Sequence, residues 1–396
     1  MRRRQFIGQA LTLSTLPAWS KLGAQSFKGT QQLQLKASDA NGLMLLSGFT
    51  SRVVATEGLP VVDGGDYLWH KAPDGGAVFE DTDGSNPSGW IYVSNCESNS
   101  FGGVGAIKFN AQGAVIDGYR ILNNTLRNCA GGKTPWGTWL SAEEVDQGLV
   151  WECDPQGVDS AVAYTSLGTF KHEAAAIDPV GEVVYLTEDK PDGCFYRTVL
   201  RDYPDLSQGT LQVAEMIQAN GEMQLAWHDI PEPNPGSKDV QTRYQVVEAT
   251  AFNGGEGIWY HDGDIYFSTK GDNKIWRLAL GTQIIAVIYD YATSPNPFLK
   301  GVDNLTVHNN GQIYVCEDGG NLEIVMLGES GWVLPVMCIE GHGGSEVTGV
   351  AFTNDGTRMY FSSQRGPSAN GNRGLTYEVT GPFADLDLIF KQGFES

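Results

Sequence analysis

The apolar residues of this chain fall in short β-branched and aromatic runs. Each run is entered near a glycine and left through a small residue, then a polar or acidic one. The runs are GWIYVSNCE (89–97), GTWLSAEE (137–144), GEVVYLTED (181–189), GDIYFSTKG (263–271), GQIYVCEDGG (311–320) and GTRMYFSSQ (356–364). Anchored on Glu97, Glu143, Glu188, Lys270, Glu317 and Gln364, they recur every 45 to 47 residues, apart from a gap of 82 after Glu188. Each is followed by a further strand pattern: GAIKF, GLVWEC, CFYRTV, KIWRLAL, LEIVML or LTYEV. A repeat of roughly this length suits one four-stranded propeller blade. The expectation is an all-β, six-bladed β-propeller. The long gap then holds either an insertion near residues 201–247, around IPEPNPGS, or a degenerate seventh blade.

The run ahead of these is also patterned. Glu173 opens EAAAIDPVG, Glu256 opens EGIWYHDG, Asp303 opens DNLTVHNNG and Glu346 opens EVTGVAFTNDG. Innermost strands line a propeller's central channel, so acids in register there converge on the axis. Carboxylates held that close repel one another or retain protons. Cations relieve this, and oxygen-rich sites with many ligands favour Ca²⁺. A single acid at a strand end would read as a turn cap or a solvated residue. Recurrence in register is what argues for metal.

Composition sharpens this picture in three ways. The 50 glycines and 15 tyrosines among 396 residues favour many short strands joined by tight turns. The N-terminal MRRRQFIGQALTLSTLPAWSKLGAQS has Arg3-Arg4 before a mild apolar stretch and small residues near Ala24, which resembles a twin-arginine export signal. Residues 1–24 are thus expected to be removed. The remaining 25–396 form a single propeller domain, periplasmic or secreted, without a membrane span, and monomeric. Formal net charge is −21, so nucleic acid is an improbable partner. The six cysteines lie far apart with no CxxC pair, which excludes a zinc cluster of the usual spacing.

One stretch carries more chemistry than the rest: NCAGGKTPWGTWLSAEE, from Asn128 to Glu144. It reads as a loop entering the second unit, with Gly131-Gly132 permitting close backbone approach, followed by the strand that ends at Glu143-Glu144. Cys129 is either a buried thiol or, near the channel mouth, a soft ligand suited to iron rather than calcium. Together with FKHEAAAIDPVGEVVYLTED, FNGGEGIWYHDGDIYFSTKGDNKIWRL, VDNLTVHNNGQIYVCEDGG and EVTGVAFTNDGTRMYFSSQ, this stretch resembles the PhoX-type alkaline phosphatases over residues 45–382.

The resemblance implies an exported metal-dependent phosphomonoesterase with Ca²⁺ and Fe³⁺ in the channel, acting on small phosphate esters after passage through the twin-arginine machinery. It makes Cys129 an iron ligand, with Glu97, Glu188 and Asp303 as carboxylate partners. Glu143, Glu144, Glu173, Glu256 and Glu317 would serve calcium or iron, and Glu256 and Lys171 are the catalytic candidates. This chain is short for that family and departs from its pattern twice. Gly254 stands where the family commonly has a phosphate-holding arginine, which is expected to weaken activity, and Asn95-Cys96-Glu97 replaces an NHE. Lys133, Lys171, His172 and Lys270 are the candidates for the missing positive charge. Two alternatives are a calcium-dependent lactonase or esterase with His172 or His261 as base, and a non-catalytic metal-stabilised binding propeller.

Overall fold

Twenty-six strands, in five antiparallel sheets, make up nearly all of the regular structure in the computed structural model, which describes residues 34–295, 297–328, 331–367, 371 and 373–386. The export segment expected at residues 1–24 lies outside the described residues. Three sheets have four strands. The first runs Pro73–Glu80, Trp90–Cys96, Gly102–Phe109 and Val115–Thr125, and the second runs Asn128–Lys133, Trp139–Glu143, Val150–Cys153 and Val162–Tyr164. In the third, Val347–Phe352, Arg358–Ser363 and Leu375–Thr380 are completed by Thr50–Thr56 from the other end of the chain. A five-stranded sheet likewise adds Leu43–Leu45 to Val302–Val307, Ile313–Glu317, Glu323–Leu327 and Val333–Ile339.

The fifth sheet has nine strands. One half starts at His172–Asp178 and ends at Glu222–Asp229, and the other runs from Gly255–His261 out to Ile284–Asp290. The halves meet through one registered pair, Gln224 opposite Ile284. The long gap in the repeat corresponds to the extended hairpin of Asp205–Ala219 and Glu222–Asp229 and the loop that follows it.

Six strands lie innermost: Pro73–Glu80, Asn128–Lys133, His172–Asp178, Gly255–His261, Val302–Val307 and Val347–Phe352. Each packs beside the next, and the last packs against the first, giving a closed, propeller-like ring. Aromatic and aliphatic side chains fill the wedges between sheets. Phe195 and Phe267, for example, stack with centroids 4.5 Å apart between the two halves of the large sheet.

The ring closes tightly because its inner positions are small. A Cβ on Gly132 would sit 1.8 Å from the carbonyl oxygen of Ala175, and one on Gly257 would sit 2.5 Å from the amide nitrogen of Leu305. This corrects the reading of residues 128–133 as a loop. Two adjacent glycines depress strand propensity, yet here they allow an innermost strand to touch its neighbour's backbone. Gly132→Ala is therefore expected to cost at least about 3 kcal/mol, since the clash is with main chain that cannot rotate away. Thermal unfolding that matches the wild type would contradict this packing.

Candidate metal centre

Every innermost strand breaks register once, near the same end. Pro73 pairs with Cys96 but Gly76 pairs with Ser94, so three steps on one strand face two on the other. The same extra residue occurs between Asn128 and Gly131, His172 and Ala175, Gly255 and Ile258, Val302 and Leu305, and Thr348 and Ala351. A bulge of this kind re-aims the side chains inside it. In five strands the residue inside is a ligand type followed by a small or short one: Asp74-Gly75, Cys129-Ala130, Glu173-Ala174, Glu256-Gly257 and Asp303-Asn304. The sixth bulges at Gly349-Val350, and its acid comes from Glu346, which bridges to Asp318 just before the strand.

A second ring comes from the residue immediately after each neighbouring strand: Glu97, Glu144, Asp189, Lys270, Asp318 and Gln364. The two rings form four groups whose ligand atoms lie within 4.8 Å of one another. These are Cys129–Glu144–Glu173, Glu173–Glu256–Asp303, Asp303–Asp318–Glu346 and Asp74–Glu97–Glu346. Glu173, Asp303 and Glu346 each belong to two groups, so the four join into one continuous cluster.

Of the nine residues read from the sequence as metal ligands, six enter this cluster: Glu97, Cys129, Glu144, Glu173, Glu256 and Asp303. Glu143, Glu188 and Glu317 do not. Each lies one residue earlier in its strand, and successive side chains point to opposite faces. Glu143 accepts bonds from the Leu126 and Leu149 amides and the Trp151 indole, at 2.9, 3.2 and 3.1 Å. Glu188 takes the Cys194 amide, the Tyr196 hydroxyl and Arg243 at 3.0, 2.8 and 3.0 Å. Glu317 takes the amides of Lys300 and Glu323. These three carboxylates tie down their own loops.

Asp74 and Asp318 escaped the sequence reading, and Glu346 was recognised as a strand-opening acid without a ligand role. Aligning PDGGAVFE with NCAGGKTP and HEAAAIDP would have exposed Asp74. Asp318 is the second acid of an adjacent pair.

Among the described residues, four cations meet the cluster. Arg127 pairs with Glu97 and, at 2.5 Å, with Glu144, while Lys171 lies 2.6 Å from Glu144 and 2.5 Å from Asp189. Lys270 lies 2.7 Å from Glu256, 3.3 Å from Asp318 and 3.7 Å from Asp303, and Arg365 lies 3.1 Å from Glu346. The four groups contain eight carboxylates, so four negative charges remain uncompensated if all are ionised. Burial, and then the neighbouring acids, push the carboxyls of Asp74, Glu173 and Glu346 well above their ordinary range. Glu256 is pushed the same way by burial and Asp303. Burial drives Asp303 up to about 6 against the pull of Lys270, and burial with Glu144 drives Glu97 up to about 7. Glu144 alone goes down, to about 2, because Lys171 and Arg127 outweigh its burial. Burial raises the Cys129 thiol well above its usual value, so without a metal it stays protonated.

A cavity of about 460 Å³ opens beside the cluster, lined by Glu57, Lys71, Glu97, Arg127, Gln364 and Arg365. The other candidate groups lie elsewhere. Lys133 reaches back to the Val78 carbonyl over the Phe79 ring, at the opposite end of its strand from Cys129. His172 is fully buried, with Nε2 on the Gly168 carbonyl. His261 ends the strand on which Glu256 stands near the start, about 17 Å away at strand rise. Cys96 is buried with Sγ against the Phe101 carbonyl, and all six cysteines are unpaired. Gly254 has φ +67°, with Asp189 and the base of Lys270 within 4.0 Å of where its Cβ would stand.

The fold and the cluster define an all-β, propeller-like protein with an acidic centre whose grouped ligand atoms have the spacing to hold cations. The sequence profile of the family described as alkaline phosphatase PhoX matches residues 106–150 and 145–297, and the chain belongs to the PhoX family. Among solved structures, it resembles Pseudomonas fluorescens PhoX in complex with vanadate, a transition state analogue. The TM-score is 0.71 at 18% identity, over 88% of this chain and 97% of that one. A protein of unknown function from Bacteroides thetaiotaomicron overlays at TM-score 0.51 and 10% identity, over 84% of this chain and 76% of that one. At such identities the likeness concerns the fold. No curated protein sequence matches the chain. No helix among the described residues is long and apolar enough to cross a membrane.

Proposed function

We propose that this chain is an exported, metal-dependent phosphomonoesterase. The observation that carries the metal requirement is Glu173: it is 1% exposed, is shared by two ligand groups, and its Oε1 has no hydrogen-bond partner. A buried carboxylate oxygen without a donor is costly unless a cation meets it. The donor set fits that requirement. Three groups are all oxygen and suit Ca²⁺, whereas Cys129 with Glu144 and Glu173 suits iron. Family membership supports phosphate monoesters as substrates. The closed ring of inner strands supports six blades, counting the nine-stranded sheet as two and its long hairpin as the insertion.

When bound, the cations would polarise the phosphoryl oxygens and activate an oxygen nucleophile. The protein's own groups do the rest. Glu173, Asp303 and Glu346 each belong to two ligand groups and would hold cations in both. Glu256, which pairs with Lys270 at 2.7 Å, would serve as a ligand with Glu173 and Asp303. Lys171 is raised above its ordinary range despite burial, by Asp189 and Glu144, so it acts as a fixed positive charge rather than a base. Arg127 and Arg365, on the wall of the 460 Å³ cavity, supply cationic donors to an entering phosphate without a side chain at 254. The buried His172 and the distant His261 offer no base near the centre, which disfavours the lactonase reading.

Elemental analysis and phosphatase assays on wild type and Cys129→Ala test this. Wild type is expected to carry iron and calcium and to lose activity on chelation. Cys129→Ala should lose iron, keep calcium, and lose at least about 100-fold in rate. A metal-loaded wild type that hydrolyses no phosphate ester would overturn the assignment.

A further inference from the structure

Lys270 stands where the repeat elsewhere places an acid or an amide. Glu97, Glu144, Asp189, Asp318 and Gln364 fill the other five positions of the second ring. Its ammonium reaches three carboxylates, those of Glu256, Asp318 and Asp303. Two of them, Asp303 and Asp318, belong with Glu346 to one ligand group, and two, Glu256 and Asp303, belong with Glu173 to the next. The ammonium therefore lies among the ligand atoms of two adjacent cation positions, which share Asp303. An ammonium and a divalent ion cannot both take the same carboxylate lone pairs at contact distance, because they repel and the acceptors are finite.

Among the described residues, the polar contacts of the ammonium are these acids, and Gly254 places no side chain against the Lys270 Cβ, while the Lys270 amide is anchored by donating to the Gly254 carbonyl at 2.8 Å. The Asp74–Glu97–Glu346 group is treated differently: Gln364 donates to Asp74 and Glu97 at 2.5 and 2.7 Å. Gln364 is neutral, and the cations on that group, Arg127 at Glu97 and Arg365 at Glu346, each touch only one of its acids, whereas Lys270 reaches two of the three acids of the Asp303–Asp318–Glu346 group.

We propose that Lys270 is a tethered competitor for the Asp303–Asp318–Glu346 position. Its ammonium holds the acids together before metal arrives, and it must leave for the last cation to enter. Lys270 thus sets the affinity of that one position without being a ligand. This rests on the reading that the cluster binds metal, and the experiment separates the two.

The full-length mature protein, stripped with chelator and titrated with Ca²⁺ alone at constant pH and ionic strength, is compared with Lys270→Gln. The weakest calcium site should tighten at least about tenfold in Lys270→Gln, and adding Asp318→Asn should abolish that site. In the wild type, where no variant need fold, Ca²⁺ should raise the rate at which an amine-modifying reagent labels Lys270, read by mass spectrometry. Equal or weaker calcium affinity in Lys270→Gln, or labelling that calcium leaves unchanged or lowers, overturns the competitor role while the metal reading stands. Failure of both proteins to bind Ca²⁺ at all removes this proposal together with the calcium sites beneath it.

Discussion

Glu173→Gln is expected to lower phosphatase kcat/KM by about 1,000-fold or more and to reduce the metal content by at least one ion. Glu173 is the one buried ligand shared by the thiol-containing group and an all-oxygen group, so its loss weakens both. An amide presents one neutral oxygen in place of two anionic ones and cannot bridge two cations with comparable strength. The metal-free protein should respond in the opposite sense. There the substitution removes a carboxyl that burial has already pushed well above its ordinary range, and near pH 8 it should raise stability by about 1–3 kcal/mol. Retained metal content and activity in Glu173→Gln would remove this residue from the centre. A less stable metal-free variant would show that its carboxylate is a structural acceptor instead.

In the absence of metal, stability is expected to fall as pH rises from about 4 through 7. Asp303 is raised from 3.8 to about 6, and Glu97 from 4.5 to about 7, so the native state binds protons more tightly than the unfolded chain. Stabilisation from a raised carboxyl is fully present below the unfolded value and is lost as pH passes the folded one. Each of these two groups accounts for about 3 kcal/mol at the upper end of the window, and Asp74, Glu256 and Glu346 act in the same direction. Glu144, lowered to about 2, opposes them only at acidic pH, where its stabilisation is lost below about 4.5. Metal binding requires the deprotonated ligands, so cations should restore most where the stripped protein is weakest. Melting curves in chelator and in Ca²⁺ at pH 5 and pH 8 check this. The separation should be small at pH 5 and on the order of 10 °C at pH 8. Equal separation at both would mean that these acids are not the metal's ligands.

The export signal at residues 1–24 and the single-domain reading of residues 25–396 rest on the chain's order and composition and remain proposals. The repeat itself was legible for a similar reason. A blade is a local unit, so glycine, β-rich run and acid recur at its spacing whatever the neighbours do. The acids Glu173, Glu256, Asp303 and Glu346 were visible because they open the innermost strand of their units. Glu97 was visible as the acid that ends the first repeat run, and Cys129 through the stretch that carries the family resemblance.

What only the tertiary structure decided is which member of each adjacent pair faces the channel. Glu143 and Glu144, Glu188 and Asp189, and Glu317 and Asp318 are indistinguishable by composition. One of each pair bonds its own loop, while the next enters the cluster or, for Asp189, its rim. A strand places successive side chains on opposite faces, and the phase depends on where it ends against its partner. That phase is set by a bulge in every innermost strand, which shifts the register by one residue and belongs to the pairing of two strands rather than to either alone. The roles of Lys270, Arg127 and Arg365 depend on the same closure. Charges from repeats far apart in sequence meet only when the ring brings its inner ends within a few ångströms, and that distance is fixed by glycines such as Gly132 and Gly257, whose missing side chains allow the strands to touch.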